Sequence, residues 1–554
     1  MREPLFPTLT EYLHHWAAEK PGQVWLRGPR NGQMEEWSWQ QASAQIQACA
    51  AWQQDTFGEE GGVTVGLLSH NRPHWFMADL GTIAAGNVVV PMFTTLPQKT
   101  AEYVMDFTDM KLLIVGETDN WEKIKPVLPK GIMLLTLPGV ELDREHLRWE
   151  DVVEPCIGKS IQRRGSADDL ISIVFTSGTT GMPKGVMQTH ASNIIPIERF
   201  KVAFDTPPDG RFFSYLPLSH IAERQITEYA SIVNGGTVFF NENLSTLSRD
   251  LQTCKPHMIF GPPRVWEQMQ QGVIAKFGSR EAFDAALAKD REGMGKLIRE
   301  NLGLDQALYL LAAAAPTPPA LIEWYSQLGI ELMEGFGQTE AMGVSANVAE
   351  ARKVGSIGRV VGDVEVKLSE AGELLVRCTG LTPGYYKQPD KTAELYQDGW
   401  LHTGDKARID EDGFLYITGR VKDYFKTIQG KFVAPTAIEN EFAKSAHSEQ
   451  CCLLGRGYSK TVMICVPTAQ AMQADEESVT EDLRKHVQAV NQTVEKHARI
   501  GAVIVSREPW TIDNGMLTPT LKIKREQVES QFGDQARELA TRSAEQGEVL
   551  VAWV

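Results

Sequence analysis

No CxxC pair occurs in this chain, and its seven cysteines (Cys49, Cys156, Cys254, Cys378, Cys451, Cys452, Cys465) are odd in number and scattered over 554 residues. That pattern argues against a disulfide framework or a zinc site and suits reduced thiols inside a cell. Long apolar runs are missing as well. Val88 to Phe93 and Met258 to Pro262 fall far short of the roughly 20 residues a membrane helix needs. The opening residues, MREPLFPTLTEYL, hold Pro4 and Pro7 but no apolar stretch, so no secretory signal is expected. Basic residues are outnumbered, with 55 Lys and Arg against 71 Asp and Glu, a formal charge of −16. Such a deficit argues against nucleic acid as the main partner, because duplex binding neutralises phosphates with Lys and Arg. Glycine and proline, at 47 and 28, show neither collagen-like nor disordered bias. A soluble cytoplasmic protein of two to four domains is expected.

Short β-branched runs alternate with longer helical patterns. Gly62 to Ser69, Asn87 to Pro91, Lys111 to Gly116, Ile171 to Thr176, Gly236 to Phe240 and His257 to Gly261 read as strands. Ser38 to Gln53, with Ser38 as N-cap, and His74 to Ala85 read as helices. This alternation predicts α/β layers with largely parallel sheets. From about Gly355 the texture changes to short strands and turns, and two apolar runs meet across Asp412-Gly413 as a hairpin of a small barrel-like part. Past Arg420 a helix is expected to start at Pro435 or Thr436, and the last 30 residues read as a helical tail. Residues 421–554 carry 16 basic and 18 acidic side chains, which leaves −14 of the −16 on residues 1–420. We therefore expect a large α/β N-terminal region, residues 1–420, and a small α+β domain, residues 421–554.

The strongest chemical signal is Phe175-Thr-Ser-Gly-Thr-Thr-Gly-Met-Pro-Lys-Gly-Val186. A strand delivers the chain into Thr176, Ser177, Gly178, Thr179, Thr180 and Gly181, followed by Lys184. Glycines let backbone N–H groups approach an anion, hydroxyls add donors, and the lysine adds a point charge, so a triphosphate is the expected ligand. A flexible Gly/Thr surface loop is the plain alternative. The kinase and GTPase loop, GxxxxGK followed by Ser or Thr, is not matched.

With the segments that follow, this loop resembles the adenylate-forming superfamily of acyl-CoA synthetases, peptide-synthetase adenylation domains and firefly luciferase. The resemblance runs from Asn71-Arg-Pro-His-Trp75 to Lys522. It is carried by Leu216-Pro-Leu-Ser-His220, Ala314-Ala-Pro316, Glu334-Gly-Phe-Gly-Gln-Thr-Glu340, Trp400-Leu-His-Thr-Gly-Asp405, Gly419-Arg-Val-Lys-Asp423 and Leu517-Thr-Pro-Thr-Leu-Lys522. The wording around His220 and Lys522 is most similar to long-chain and bubblegum-type fatty acyl-CoA synthetases.

The resemblance implies roles for these positions. Glu334, Gly335, Phe336 and Gly337 would meet the nucleotide, with Phe336 along the adenine and Thr339 at the α-phosphate. Glu340, with Thr176, would hold Mg²⁺. Ala314, Ala315 and Pro316 would pack against the ring, although Ala313 stands where a glycine is common. Asp405 would accept from the ribose hydroxyls, with Arg420 beside it. His220 would sit by the carboxylate being activated, and Lys522 would bridge that carboxylate and the α-phosphate, Lys524 being the alternative. Lys422 would be the hinge, and Lys426 and Gly430 would line the path of the CoA thiol. Each has a plainer reading. Glu340 could be a solvated acid, Asp405 a turn residue, His220 a packed core residue, Lys422 a linker lysine, and Lys522 part of a solvated helix face.

The implied reaction uses ATP, CoA and Mg²⁺ and converts a medium- or long-chain fatty acid to acyl-AMP, then to acyl-CoA. Amino acids are disfavoured, since Phe213, Ser214 and Tyr215 supply no carboxylate for an ammonium. The alternatives are another acceptor or product, such as an acyl carrier protein, a β-lactone or an aryl-CoA, and more remotely a non-catalytic nucleotide or acyl sensor. Long-chain members often touch membranes, so peripheral contact with the inner membrane is the alternative to a free cytoplasmic protein, though no basic amphipathic helix is visible.

Overall fold

A computed structural model describes residues 3–159, 161, 165–176, 182–204, 206–518 and 521–554. The parallel runs fall into two large sheets. One has seven strands. Leu147–Arg148, Met133–Thr136, Leu112–Val115, Thr64–Leu68, Val88–Met92 and Leu170–Thr176 lie parallel in that order, and Lys184–Thr189 adds an antiparallel edge. The other has nine strands with a parallel centre: Leu332–Gln338, Tyr309–Ala312, Met258–Gly261, Arg211–Ser214, Thr237–Phe240 and Val24–Arg30. Strands buried on both faces read as continuous apolar runs, and Val88–Met92 and Leu112–Val115 are buried at every position.

Between these sheets lie the helices Trp39–Phe57 and Pro73–Ala84. The first starts where its sequence says it should: Ser38 accepts from the Gln41 N–H while the Gln41 side chain returns to the Ser38 N–H, closing a capping box. A largely apolar layer that includes Trp25, Trp39, Trp75, Trp149 and Phe240 joins helices and sheets into one core.

A five-stranded antiparallel sheet follows, built from Glu365–Leu368, Glu373–Arg377, Tyr396–Gln397, Trp400–Ile409 and Leu415–Arg420. The expected hairpin across Asp412-Gly413 is its last pair of strands. After the turn Val421–Asp423 comes a separate four-stranded sheet of Ser448–Leu454, Thr461–Pro467, Ile500–Val505 and Leu550–Trp553. Its two faces are covered by the helices Pro435–Phe442 and Glu476–Thr493 on one side and Arg525–Gln546 on the other.

The C-terminal tail is not helix alone. Helix Arg525–Gln546 buries Val528, Phe532, Ala536 and Leu539, and Leu550–Trp553 then adds a parallel edge strand beside Ile500–Val505. Among the described residues no helix is long and apolar enough to cross a membrane.

Candidate functional site

The C-terminal ends of parallel strands carry some of the expected residues, Thr176 and the segment from Glu334 to Gln338, while others come from loops and from the antiparallel sheet. Strand Leu170–Thr176 ends at Thr176, and the chain returns antiparallel from Lys184, opposite Thr176. The hydroxyl-rich loop thus joins two strands, whereas the kinase and GTPase loop leads into a helix. Ser177, Gly178, Thr179, Thr180 and Gly181 lie outside the described residues. Lys184 Nζ stands 4.5 Å from the centre of the Tyr385 ring. Burial lowers its ammonium below the ordinary range, Lys422 pushes the same way, and Glu340 opposes.

Glu334 to Gln338 form the end of strand Leu332–Gln338, so the motif belongs to the strand instead of following it. Glu334 is buried, accepts from the Gly355 N–H at 3.0 Å, and is pushed by burial up to about 7. Its carboxylate therefore braces a turn. Gly335 and Phe336 pair with Ala346 and Ser345. A Cβ on Gly337 would come within 3.1 Å of the Gly343 nitrogen, so the two strands meet closely there. The Thr339 carbonyl accepts from Gln188 Nε2 at 2.8 Å.

Glu340 Oε1 accepts from the Tyr385 hydroxyl at 2.8 Å. Its second oxygen and the Thr176 hydroxyl are hard oxygen donors suited to Mg²⁺. Among the described residues no three His, Cys, Asp or Glu side chains gather at one point. That sparse donor set fits an ion held mainly by phosphate oxygens and water, the usual situation of Mg²⁺ at a nucleotide.

Asp405 lies inside strand Trp400–Ile409 and is not a turn residue; it stands directly across from Arg420 on the neighbouring antiparallel strand. Arg420 Nη1 donates to Asp405 Oδ1 at 2.8 Å, and Gln338 Nε2 donates to Oδ2. Burial still lifts the Asp405 carboxyl above its ordinary value, since desolvation outweighs the pull of Arg420. Gly404, at φ 70°, provides the bend before it. Ala314, Ala315 and Pro316 form an exposed turn after strand Tyr309–Ala312, and Ala314 takes φ 70°. A Cβ in that left-handed region is strained by about 1 kcal/mol. The strain falls beside the departure from glycine noted in the sequence.

His220 does not end a strand. Strand Arg211–Ser214 stops six residues earlier, and His220 caps the short helix Ile221–Glu223 by accepting from the Ala222 N–H at Nδ1, 3.2 Å away. That contact puts the proton of the neutral imidazole on Nε2. Burial lowers its pKa to about 4, with the Lys522 charge adding to the shift, so the ring is neutral near pH 7.

The next residues were not foreseen. Glu223 is buried, accepts from the Tyr215 N–H at 3.1 Å, and is raised by burial to about 8. Arg224, fully buried, donates to Asp79 at 2.5 Å and to the Ser172 hydroxyl at 2.7 Å. Ser172 belongs to the strand that ends at Thr176, so the His220 segment is fastened to the strand that presents the glycine-rich loop. The only hint in the sequence is the run of charges in Glu223-Arg224 amid apolar neighbours.

Lys522 sits in a hairpin whose Leu517 and Ile523 form a β-bridge, with its N–H donated to Thr518 Oγ1 at 3.0 Å. Its side chain is exposed, yet the surrounding protein partly desolvates the ammonium and lowers it; Arg420 adds to that, and Asp405 and Glu340 oppose across the cleft. The C-terminal region thus presents Lys522 to the same cleft as His220, Glu340 and Asp405. Two ion pairs cross between the regions, Arg264–Glu449 at 2.7 Å and Lys123–Asp513 at 3.0 Å. Lys422 lies in the turn Val421–Asp423, and its charge is felt at Lys184 and Glu394. Lys426 and Gly430 are not drawn into this cluster. They occupy an exposed hairpin, where Lys426 Nζ lies 4.7 Å from the Phe432 ring centre and Gly430 turns the chain at φ 75°.

Beside His220, an apolar cluster gathers Ala222, Phe260, Leu311 and Met333, with Ile226 packed against it.

The sequence pattern of the AMP-binding enzymes matches residues 13–386, and that of the AMP-binding enzyme C-terminal domain matches residues 422–543. Fatty acyl-CoA synthetase A of Dictyostelium discoideum is 28% identical, over 86% of this chain and 81% of its own length. Human long-chain-fatty-acid–CoA ligase 1 is also 28% identical, over 91% and 82%. Among solved structures, the adenylation domain of a carboxylate reductase from Mycobacterium chelonae superposes with a TM-score of 0.80 at 20% identity, over 98% of this chain and 92% of that one.

Proposed function

The chain belongs to the AMP-binding enzyme family, and from that premise we propose that it activates a medium- or long-chain fatty acid with ATP and passes the acyl group to CoA. The observation that carries this reading is the likeness to fatty acyl-CoA ligases at 28% identity over most of the chain, with an apolar cluster of Ala222, Ile226, Phe260, Leu311 and Met333 that begins two residues after His220. An apolar acyl chain gains about 0.8 kcal/mol for each CH₂ it buries, while its carboxylate keeps to polar groups. The fatty-acid relatives support the same choice.

A carboxylate cannot be attacked productively by a thiol, because oxide would have to leave. In the first half-reaction a carboxylate oxygen attacks the α-phosphorus of ATP and pyrophosphate departs, giving the acyl-adenylate. Asp405 orients the ribose, Lys184 neutralises the departing phosphates, and Lys522 stabilises the charge that builds between carboxylate and α-phosphate. Mg²⁺, held by Glu340 and Thr176, would supply further charge neutralisation at the phosphates. Neutral His220 can donate from Nε2 toward a carboxylate oxygen without adding a competing cation.

In the second half-reaction the CoA thiol sulfur attacks the acyl carbon, AMP leaves with the electron pair of the broken C–O bond, and the thiol proton is released. We assign the exchange of partners to rotation at Lys422, which withdraws Lys522 and brings in the hairpin of Lys426 and Gly430. The test is thioester formation from ATP, CoA and a series of acids. Saturated fatty acids should give acyl-CoA with kcat/KM rising with chain length, whereas equal or better turnover of an aryl acid or a dicarboxylate would reject the fatty-acid assignment.

A further inference from the structure

The nine-stranded sheet has a second cavity at the end away from the cleft. It has a volume of about 560 Å³ and opens where the strands begin. Val24, Arg211 and Thr237 are the first residues of their strands, and Cys254 and Lys255 precede strand Met258–Gly261. His220 lies beyond the opposite end of one of these strands, Arg211–Ser214. In parallel register Arg27 pairs with Phe239, and Arg211 with Thr237. Because side chains alternate faces along a strand, Arg27, Arg211, Thr237 and Phe239 share one face. Register, and not chance surface proximity, gathers the two arginines.

Every charged side chain lining this cavity is positive: Arg27, Arg211 and Lys255. On residues 1–420, which carry −14, such a concentration stands against the background. The cations are only partly committed. Arg211 Nε donates to the carbonyls of Cys254 and Lys255 at 3.1 and 2.9 Å, which fixes its position. Arg27 has Glu36 3.2 Å from Nη2, yet its Nε is buried with no hydrogen-bond partner. Lys255 pairs with Asp305 at 2.8 Å. Guanidinium and ammonium groups on the wall of an open cavity are suited to an oxyanion. The volume lies within the roughly 300–1,000 Å³ of small-molecule sites, and Phe239 supplies an apolar wall.

We infer that this cavity is a second, non-catalytic site for a compact organic anion, held by its phosphate or carboxylate group on Arg27, Arg211 and Lys255. Phosphate esters and carboxylates share the planar-fork chemistry that arginine recognises, so the probes separate them. Calorimetric titration of the full chain would use inorganic phosphate, AMP and succinate. The variants are Arg27→Gln, Lys255→Gln at a half-exposed side chain, and Asp405→Ala in the cleft.

We expect at least one probe to bind at one site that survives Asp405→Ala, weakens at least tenfold in Arg27→Gln and several-fold in Lys255→Gln, and weakens with added salt. A response to phosphate and AMP identifies a phosphate ester, and a response to succinate identifies a carboxylate. No binding by any probe to Asp405→Ala, or binding unchanged in both Arg27→Gln and Lys255→Gln, overturns the inference. Turnover is not read, so the outcome is separate from that of the proposed reaction.

Discussion

The Tyr385 hydroxyl donates to Glu340 Oε1 at 2.8 Å, and the Lys184 ammonium rests on the same tyrosine ring. One side chain therefore orients both the carboxylate expected at the metal and the lysine expected at the phosphates. Tyr385→Phe keeps the ring and removes only the hydroxyl. A hydrogen bond to a charged group is worth about 1.5–3 kcal/mol, so pyrophosphate release should slow by at least tenfold. The half-saturating Mg²⁺ concentration should rise as well. An unchanged Mg²⁺ requirement would show that Tyr385 does not position Glu340.

Lys522 is expected to serve one half-reaction only. Lys522→Ala should lower adenylate formation by about 10²- to 10³-fold, the range found when one preorganised donor to a transition-state charge is lost. Thioester formation from synthetic acyl-AMP and CoA should stay within a few-fold of wild type. Equal losses in both half-reactions, measured by rapid quench, would contradict its placement. Lys524→Ala, on the neighbouring candidate, should leave both near wild type.

Fold and site were legible in the sequence to different depths, for physical reasons. The strand at Val88–Met92, expected at Asn87 to Pro91, and the Ser38 N-cap were readable because burial and capping are local and carry residue-level signatures. The edge strand Leu550–Trp553 was not, since four residues gain strand character only from pairing with Ile500–Val505 far away in the chain. Within the site, Asp405 and Arg420 were singled out through their motifs, but their register across two strands was not legible. Tyr385 carries no signal of its own: its partner Glu340 lies 45 residues away. Glu223 and Arg224 were passed over because their meaning depends on burial, which apolar neighbours alone do not reveal.

Burial of Glu223 and Glu334 gives stability a particular pH dependence. Both are raised in the folded protein, to about 8 and about 7, above an unfolded carboxyl near 4.5. Their contribution is full below pH 4.5 and is lost as pH rises through 7 to 8. His220 has the opposite sign: lowered from 6.5 to about 4, it contributes fully above pH 6.5 and loses that contribution as pH falls toward 4. Glu223→Gln should thus flatten the decline of Tm between pH 5 and 8, with the amide oxygen still accepting from Tyr215. A slope equal to wild type would place the Glu223 titration elsewhere.

The ion pair Arg264–Glu449 crosses between the two regions but is half-exposed at both ends. Exposed pairs contribute about 0.2–1 kcal/mol and are screened by salt. Arg264→Ala should therefore change adenylation less than about fivefold, with the difference vanishing at high salt. A loss rivalling that of Lys522→Ala would mean the pair holds the closed arrangement alone.

The most direct test of acid activation is pyrophosphate release measured across a panel of carboxylic acids, with and without CoA. The account predicts acid-dependent release that is strongest with fatty acids, limited to about one equivalent without CoA, and continuous with acyl-CoA formation when CoA is present. Acid-independent release, or none with any acid, would contradict it.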